Sequence, residues 1–479
     1  MSGTNLAKKL DEKDMDKNRK DYFTKNIYEA DPEIGGLLKE LQDSREKHLM
    51  MIASAGLASL AALTAQSTSA NNDYAEGTFN YEKGEFARFY EGTAGPIDKI
   101  EEIAMRRTAA AFGINWDKGY VNVQPHSGSP ANAAVYIALM KDGDTLLGMS
   151  LDAGGHLTHG AAPTSSARHY KAVQYGLKND GSGLIDYAQV EKLALEHNPR
   201  VIVAGFSAYS RHVDWQKFVD IAEKVKQKHG KRPYVMADIA HVAGLVAGGV
   251  YPNPSNIVDV VTMTTHKALS GPRGAVILAK DRNLDVDGAP LHKKMNSAVF
   301  PGSQGGPHIH SIAGIAYTMG YVQTPEFKKI AQQIVDNARA LAKTLQDAGF
   351  KIFSGGTDDH LMLVDLRDAN KGLKGNAASR SLARAGIISN KNAIPHDSES
   401  PFVTSGVRFG TQVLTIRGMG TNEMKEVGAC IIEVLQGLQA LPEDKRTMKA
   451  VNEGSNKNAE DSARAKVEKL TAKFPTYSV

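Results

Sequence analysis

The sequence predicts an α/β protein, a large domain on a mixed, mostly parallel sheet followed by a smaller α+β C-terminal domain. Three observations carry this. Apolar, β-branched runs at 120–124, 145–151, 201–206, 234–238 and 257–266 alternate with amphipathic stretches of helical period, and strands apolar throughout are those buried on both faces. Small and polar residues at 127–129, 156, 207, 238 and 267 follow these runs, and α/β sheets bind ligands beyond the carboxyl ends of their strands. After about residue 324 the pattern changes to one long helix and short strand pieces. The expected division is 1–72 as N-terminal arm and helix, 73–318 as large domain and 319–479 as small domain.

Taken in order, residues 1 to about 25 read as a charged, flexible arm, and Pro32 suits the first position of an amphipathic helix. The run Met51-Ile52-Ala53-Ser54-Ala55-Gly56 and the loop Tyr74-Ala75-Glu76-Gly77 follow. Ile97, Ile100, Ile103, Ala104 and Ala111 lie on one face of a helix, and Tyr120–Gln124 is a short strand. Ser129 as cap and Pro130 as first residue then open a helix, so that strand, Ser127-Gly128-Ser129 turn and helix N-terminus make an anion cradle. Strand 145–151 leads to Gly154-Gly155-His156-Leu157-Thr158-His159, where the glycines let backbone approach whatever binds. Two histidines three apart do not make a metal centre without further ligands, and His156 suits stacking on an aromatic ligand better. Helix 185–197, strand 201–206, loop Ser207–Ser210, helix 214–228, a helix from about 324 to 349, strand pieces at 352–353, 361–366 and 406–410, and a final helix 462–474 complete the chain.

Composition bounds the function. The 479 residues are 42% hydrophobic and 23% charged, with 57 basic and 53 acidic residues giving a net charge of +4, which suits a globular protein and excludes disorder as a whole. No basic, aromatic-interleaved patch favours nucleic acid, and no apolar run is long enough to span a membrane. The polar first 21 residues lack the apolar core of a signal peptide, so a reducing cytoplasm is expected. Cys430, the single cysteine, sits in an apolar run and reads as a buried helix residue.

The chemistry concentrates at two strand ends. Lys267 ends the run 257–266 before a Gly271-Pro272 turn, and Asp238 ends the run 234–238, with His241 three residues on. A lysine after a strand is ordinarily solvated, and an aspartate there ordinarily caps a helix. Together, however, they supply an amine to condense with an aldehyde and an anion for a ring nitrogen, which is what pyridoxal phosphate requires. A helix terminus contributes only about 0.3–2 kcal/mol, whereas micromolar retention needs about 8 kcal/mol. Cradle, amine and anion are therefore persuasive only as a set.

The words Thr264-Thr265-His266-Lys267-x-Leu269-x-Gly271-Pro272-Arg273-Gly274, Asp238-x-Ala240-His241, Gln124-Pro125-His126-Ser127-Gly128-Ser129, Phe300-Pro301-Gly302, Gln304-Gly305-Gly306-Pro307 and Ser400-Pro401-Phe402-Val403-Thr404-Ser405-Gly406-Val407-Arg408 resemble serine hydroxymethyltransferase from about Ile34 to Phe474. This resemblance implies the aspartate-aminotransferase-like fold of the type I pyridoxal-phosphate enzymes. It implies transfer of a one-carbon unit between serine and glycine with tetrahydrofolate as acceptor, and a homodimer or homotetramer with active sites at the subunit interface. By matching position, Lys267 would bond pyridoxal 5'-phosphate, Asp238 would hold its ring nitrogen protonated and His156 would stack on it. Ser127, Gly128, Ser129, Ser207, His266 and, across the interface, Gly306 would complete the cofactor site. Arg408, Ser54 and His241 would hold the amino acid; Glu76, supported by Tyr74, would be the acid/base; and Leu151, Gly155, Leu157, Asn392, Ser400, Pro401 and Phe402 would line the folate pocket.

The chain departs from the family locally. Ala53-Ser54-Ala55-Gly56 stands where the family reads Ala-Ser-Glu-Asn, Asp152-Ala153 precedes Gly154 where the family has Ala-His, and residues 78–90 are expanded and rewritten around Phe86-Ala87-Arg88-Phe89-Tyr90. These changes leave two rivals to the transferase: a folate-independent pyridoxal-phosphate aldolase acting on β-hydroxy amino acids, and a catalytically silent binding protein on the same fold.

Overall fold

The computed structural model describes residues 17–90, 92, 94–367 and 372–477. Its centre is a seven-stranded sheet in the order 120–122, 275–279, 260–264, 234–238, 201–205, 145–149, 171–175. Ala275–Ala279 alone runs against its neighbours, and the other pairings of the sheet are parallel. Five strands, from Val201–Gly205 through Tyr120–Asn122, are buried at every residue, which is why they read as apolar runs rather than alternating ones. Asp238 pairs with Gly205 on one side and Thr262 on the other, so the carboxylate and the loop carrying Lys267 leave the same edge of the sheet.

A second, four-stranded antiparallel sheet has the order 351–352, 361–365, 406–410, 390–392. The apolar interior falls into two main clusters. Helix Pro325–Asp347 serves both, contributing Phe327, Ala331, Ile334 and Val335 to the first and Ala338, Leu341, Ala342 and Leu345 to the second. The second also takes Leu49 and Met51, because strand Leu49–Met50 pairs with Ile387–Ile388. Cys430 is buried in helix Thr421–Ala440.

Several expected elements shift. Residues 1–16 of the expected arm lie outside the described residues, and Lys17–Thr24 is helical rather than coil. Helix Pro32–Lys47 begins as expected, capped by Asp31, whose Oδ1 accepts from Ile34 N at 3.1 Å. The helix expected to start at Pro130 instead spans Gly128–Leu139 with Ser127 at its N-cap, since backbone hydrogen bonding already starts from the Ser127 carbonyl. The last helix begins at Lys457, a turn before 462, so most of the polar run 453–461 is helical. Strand Lys171–Tyr175 at the sheet edge, and the hairpin Gly77–Asn80 with Glu85–Arg88, were not foreseen. No helix among the described residues is long and apolar enough to cross a membrane.

Candidate active site

At the carboxyl edge of the large sheet a cavity of about 210 Å³ is lined by Ser127, Gly128 and Ser129, by His156 and Ser207, and by Asp238, His266 and Lys267. Five separate connections deliver these groups, each leaving a strand of one sheet. Sequence spacing could not show that they meet; the parallel order of the strands makes them meet.

Asp238 is buried and satisfied on every side. Its Oδ2 accepts from Asn132 Nδ2 at 2.8 Å and lies 3.1 Å from His159 Nε2, and its Oδ1 accepts from Ala240 N at 3.0 Å. Burial pushes its acidity towards the neutral form, but the His159 hydrogen bond and charge, with His156 and Asn132, outweigh it and hold the carboxyl well below the usual range. Asn132 is not among the expected site residues, and His159 is expected only as half of a histidine pair, not as a partner of Asp238. The available signals were an amide inside the apolar helical run after Pro130 and the second histidine of His156-x-x-His159. His156, His159 and Asp238 offer ligand atoms within 4.8 Å of one another. The polar atoms of this group engage one another and their neighbours: His159 Nε2 lies 3.1 Å from Asp238 Oδ2, His159 Nδ1 accepts from His156 N at 3.2 Å, and His156 Nδ1 lies 2.7 Å from Thr158 Oγ1.

Lys267 faces this carboxylate from the next strand. Burial, against the opposing pull of Asp238 and with the nearby charges of Arg408 and Arg273, lowers its ammonium to about 8. His156 and His266 are lowered to about 4, chiefly by burial, so both are neutral rings at pH 7. Arg273, unremarked beyond its motif, borders the same cavity as the serine cradle.

Arg408 reaches the site from the second sheet. It is buried, its Nη1 donates to the Ser207 carbonyl at 2.6 Å and its Nε to Asn390 Oδ1 at 3.1 Å, and burial lowers it to about 10. His241 is buried beside it, and its titration is pressed down by burial and then by Lys267 and Arg408. The turn carrying Ser54 is pinned from helix Gln412–Ile416: Gln412 Nε2 donates to the carbonyls of Ile52, Ala53 and Ala55 at 3.0, 3.0 and 2.7 Å. A Cβ at Gly56 would lie 2.1 Å from the His266 carbonyl oxygen. Backbone packing at this position therefore leaves no room for a side chain.

Other expected site residues are placed elsewhere. Glu76, Tyr74 and Gly306 form their own group, with Glu76 Cγ and Tyr74 Cδ1 both 3.9 Å from where a Cβ of Gly306 would sit. None of the three lines the Lys267 cavity. Leu151 and Leu157 flank His156 on an exposed rim; Asn392 ends an edge strand; Ser400, Pro401 and Phe402 are exposed, the phenylalanine at 82%. Gly155 packs on its own chain, a Cβ there falling 2.0 Å from the Met149 carbonyl oxygen.

A buried amine and a buried carboxylate thus share one cavity with a Ser-Gly-Ser turn at a helix N-terminus, and an arginine from the second sheet reaches its edge, the arrangement of an α/β protein with a small-molecule site at the carboxyl end of its strands. The serine hydroxymethyltransferase family model matches residues 27–431. Curated proteins named serine hydroxymethyltransferase are similar over nearly the whole chain: that of Paramagnetospirillum magneticum is 48% identical over 456 residues, covering 95% of this chain and 98% of that protein. That of Teredinibacter turnerae is 47% identical, with 95% and 98% covered, and that of Alkalilimnicola ehrlichii 49%, with 86% and 92% covered. The chain belongs to the serine hydroxymethyltransferase family, a family of type I pyridoxal-phosphate enzymes. These matches support the hydroxymethyltransferase over the folate-independent aldolase.

Proposed function

We propose that this chain carries the hydroxymethyl carbon of serine to tetrahydrofolate, with pyridoxal 5'-phosphate held covalently on Lys267. The observation that carries the proposal is the single cavity gathering Lys267, Asp238 and the Ser127–Ser129 cradle. Its residues fit the cofactor. A Cβ at Gly128 would lie 2.6 Å from Thr264 Cγ2, so the cradle closes only around a glycine. The buried Nδ1 atoms of His241 and His266 have no partner within the described residues. When bound, the cofactor supplies an electron sink beside the α-carbon of the amino acid.

The chain's own residues do the rest. Asp238, kept ionised by His159 and Asn132, would be the anion that keeps the ring nitrogen protonated. Backbone groups at 127–129, at the N-terminus of helix Gly128–Leu139 and with Arg273 bordering the same cavity, would hold the phosphate. Neutral His156, which lines the same cavity, would stack on the ring. Arg408 clamps the substrate carboxylate, Ser54 and His241 orient the α-carbon, and Glu76 moves the proton at the serine hydroxyl. That Glu76, Tyr74 and Gly306 stand outside the Lys267 cavity supports a homodimer in which each subunit completes its partner's site; Tyr74, 61% exposed, packs edge-on against Tyr90. Exposed Leu151, Leu157 and Phe402 suit the apolar faces of a folate at the entrance.

Glycine release from serine by the purified protein, measured with and without tetrahydrofolate, tests this. Strong stimulation is expected; equal rates would return the aldolase. Two further outcomes follow from the electrostatics. Uptake of pyridoxal phosphate by the apoprotein needs the neutral amine, so its rate should rise about tenfold per pH unit up to about pH 8 and then level. A rise continuing to pH 10 would mean that Lys267 is solvated. In Arg408→Lys the planar fork is lost, so KM for serine should increase by roughly 10–100-fold while cofactor retention is unchanged; an unaltered KM would remove Arg408 from the substrate site.

A further inference from the structure

The expanded segment 78–90, where the chain leaves its family's pattern, folds as a hairpin that brings Arg88 directly opposite Gly77. Every backbone carbonyl around Glu76 is thereby engaged. Arg88 Nη1 donates to the Ala75 carbonyl at 2.8 Å and to the Gly77 carbonyl at 3.1 Å, and Phe89 N donates to the Glu76 carbonyl at 3.0 Å. The close turn requires its glycine, because Gly77 has φ +121° and a Cβ there would fall 1.9 Å from the Ala87 carbonyl oxygen. Arg88 is itself fixed. Its side chain is 3% exposed, its Nε donates to Asp98 Oδ1 and its Nη2 to Glu101 Oε2, each at 2.8 Å, and its guanidinium lies over the Phe86 ring at 4.2 Å.

The network continues to the cofactor side. Glu101 Oε1 accepts from Gln124 Nε2 at 2.8 Å, and that amide also donates to the Gly77 carbonyl at 2.8 Å. The Gln124 carbonyl accepts from Gln304 Nε2 at 2.8 Å, immediately before Gly305 and Gly306, which pack on Glu76. One buried, hydrogen-bonded unit therefore connects the Glu76 turn, the strand leading into the 127–129 cradle and the glycine loop. A planar guanidinium with five donors in a fixed fork suits this task, whereas a lysine ammonium is a point charge that cannot address two carbonyls and two carboxylates at once.

We infer that Arg88, anchored by Asp98 and Glu101, is a positioning residue that sets the Glu76 carboxyl for proton transfer in the folate-dependent reaction. The inference rests on the role proposed above for Glu76. Arg88 touches neither substrate nor cofactor; it acts through the backbone on both sides of the acid. Misplacing a catalytic group by about 1 Å costs on the order of 100-fold in rate.

The test is a double-mutant comparison in the holoenzyme, reading tetrahydrofolate-dependent serine cleavage, its pH profile, and the absorbance change caused by glycine alone. Arg88→Lys keeps the buried positive charge beside Glu101. It should lower kcat about 10–100-fold, move the pH profile and leave the glycine-induced change intact. Glu76→Gln should lower kcat about 100-fold or more, and the double variant should be no slower than Glu76→Gln alone, because the clamp has nothing left to position. Losses that multiply, or an Arg88→Lys enzyme with unaltered kcat and profile, overturn the clamp while leaving Glu76 in place. A fully active Glu76→Gln enzyme overturns both. Should Arg88→Lys not fold, Asp98→Asn, which removes a partly exposed anchor of the same guanidinium, is compared in the same way, and multiplying losses there also overturn the inference.

Discussion

Lys267→Ala should abolish transfer of the serine carbon, lowering kcat by about 10⁴-fold or more, the scale on which loss of a covalent nucleophile is felt. The apoprotein should nevertheless be no less stable to heat than the parent. Burial lowers the Lys267 ammonium from 10.5 to about 8, so folding favours its neutral form. The cost of burying it is present in full below about pH 8 and fades as pH rises towards the unfolded value near 10.4. At pH 7 the alanine variant escapes that cost. Side-by-side thermal unfolding of the two apoproteins checks this, together with activity and visible absorbance. A variant that retains cofactor colour and a tenth of the activity would displace Lys267 from its role, and a marked fall in apoprotein Tm would show that the amine is held by favourable contacts.

Asp238→Asn is expected to have the second-largest effect. An asparagine cannot replace this carboxylate, because donors occupy both oxygens: Asn132 and His159 on Oδ2, and Ala240 N on Oδ1. Whichever way the amide turns, its NH₂ meets another donor. One buried donor is left unmet, at a cost of about 1–3 kcal/mol, and the ring nitrogen loses its anion, with a fall in kcat of roughly 10²–10³-fold, as for loss of other preorganised electrostatic groups. The pH dependence carries a sign. The carboxyl is held below its ordinary value in the fold, so its stabilisation is complete above the unfolded value near 3.9 and is lost progressively as pH falls from there towards the lower folded value. The stability gap between parent and variant should therefore narrow below about pH 4, and an equal gap at pH 3 and pH 7 would contradict the assignment.

Much of the candidate site was legible because it is written at strand ends. An apolar run followed by a charged or small residue marks both the buried strand and the place where chemistry can sit, so Lys267, Asp238, His156 and Ser207 could be named together. Polar residues inside helices were less legible. Asn132 and His159, which fix the charge of Asp238, and Gln412, which holds the Ser54 turn, sit among residues of a different local purpose, and their partners are 106, 79 and about 360 residues away. The start of helix Gly128–Leu139 was misjudged because Ser127 and Ser129 are equally good caps by residue type; the hydrogen bond accepted by the Ser127 carbonyl decides between them.

Local residue order suffices for the periodicity of the elements, the buried, mostly parallel character of the large sheet, and the motif words that place the chain in its family. Burial on both faces and local backbone chemistry leave a direct imprint on composition. Tertiary structure alone decided which strand runs backwards, that Gly56 has no room for a side chain, and that the enlarged segment after Glu76 folds back to clamp it. Those outcomes depend on contacts between residues far apart in the chain, whose energies are set by distances and buried partners that no local pattern encodes.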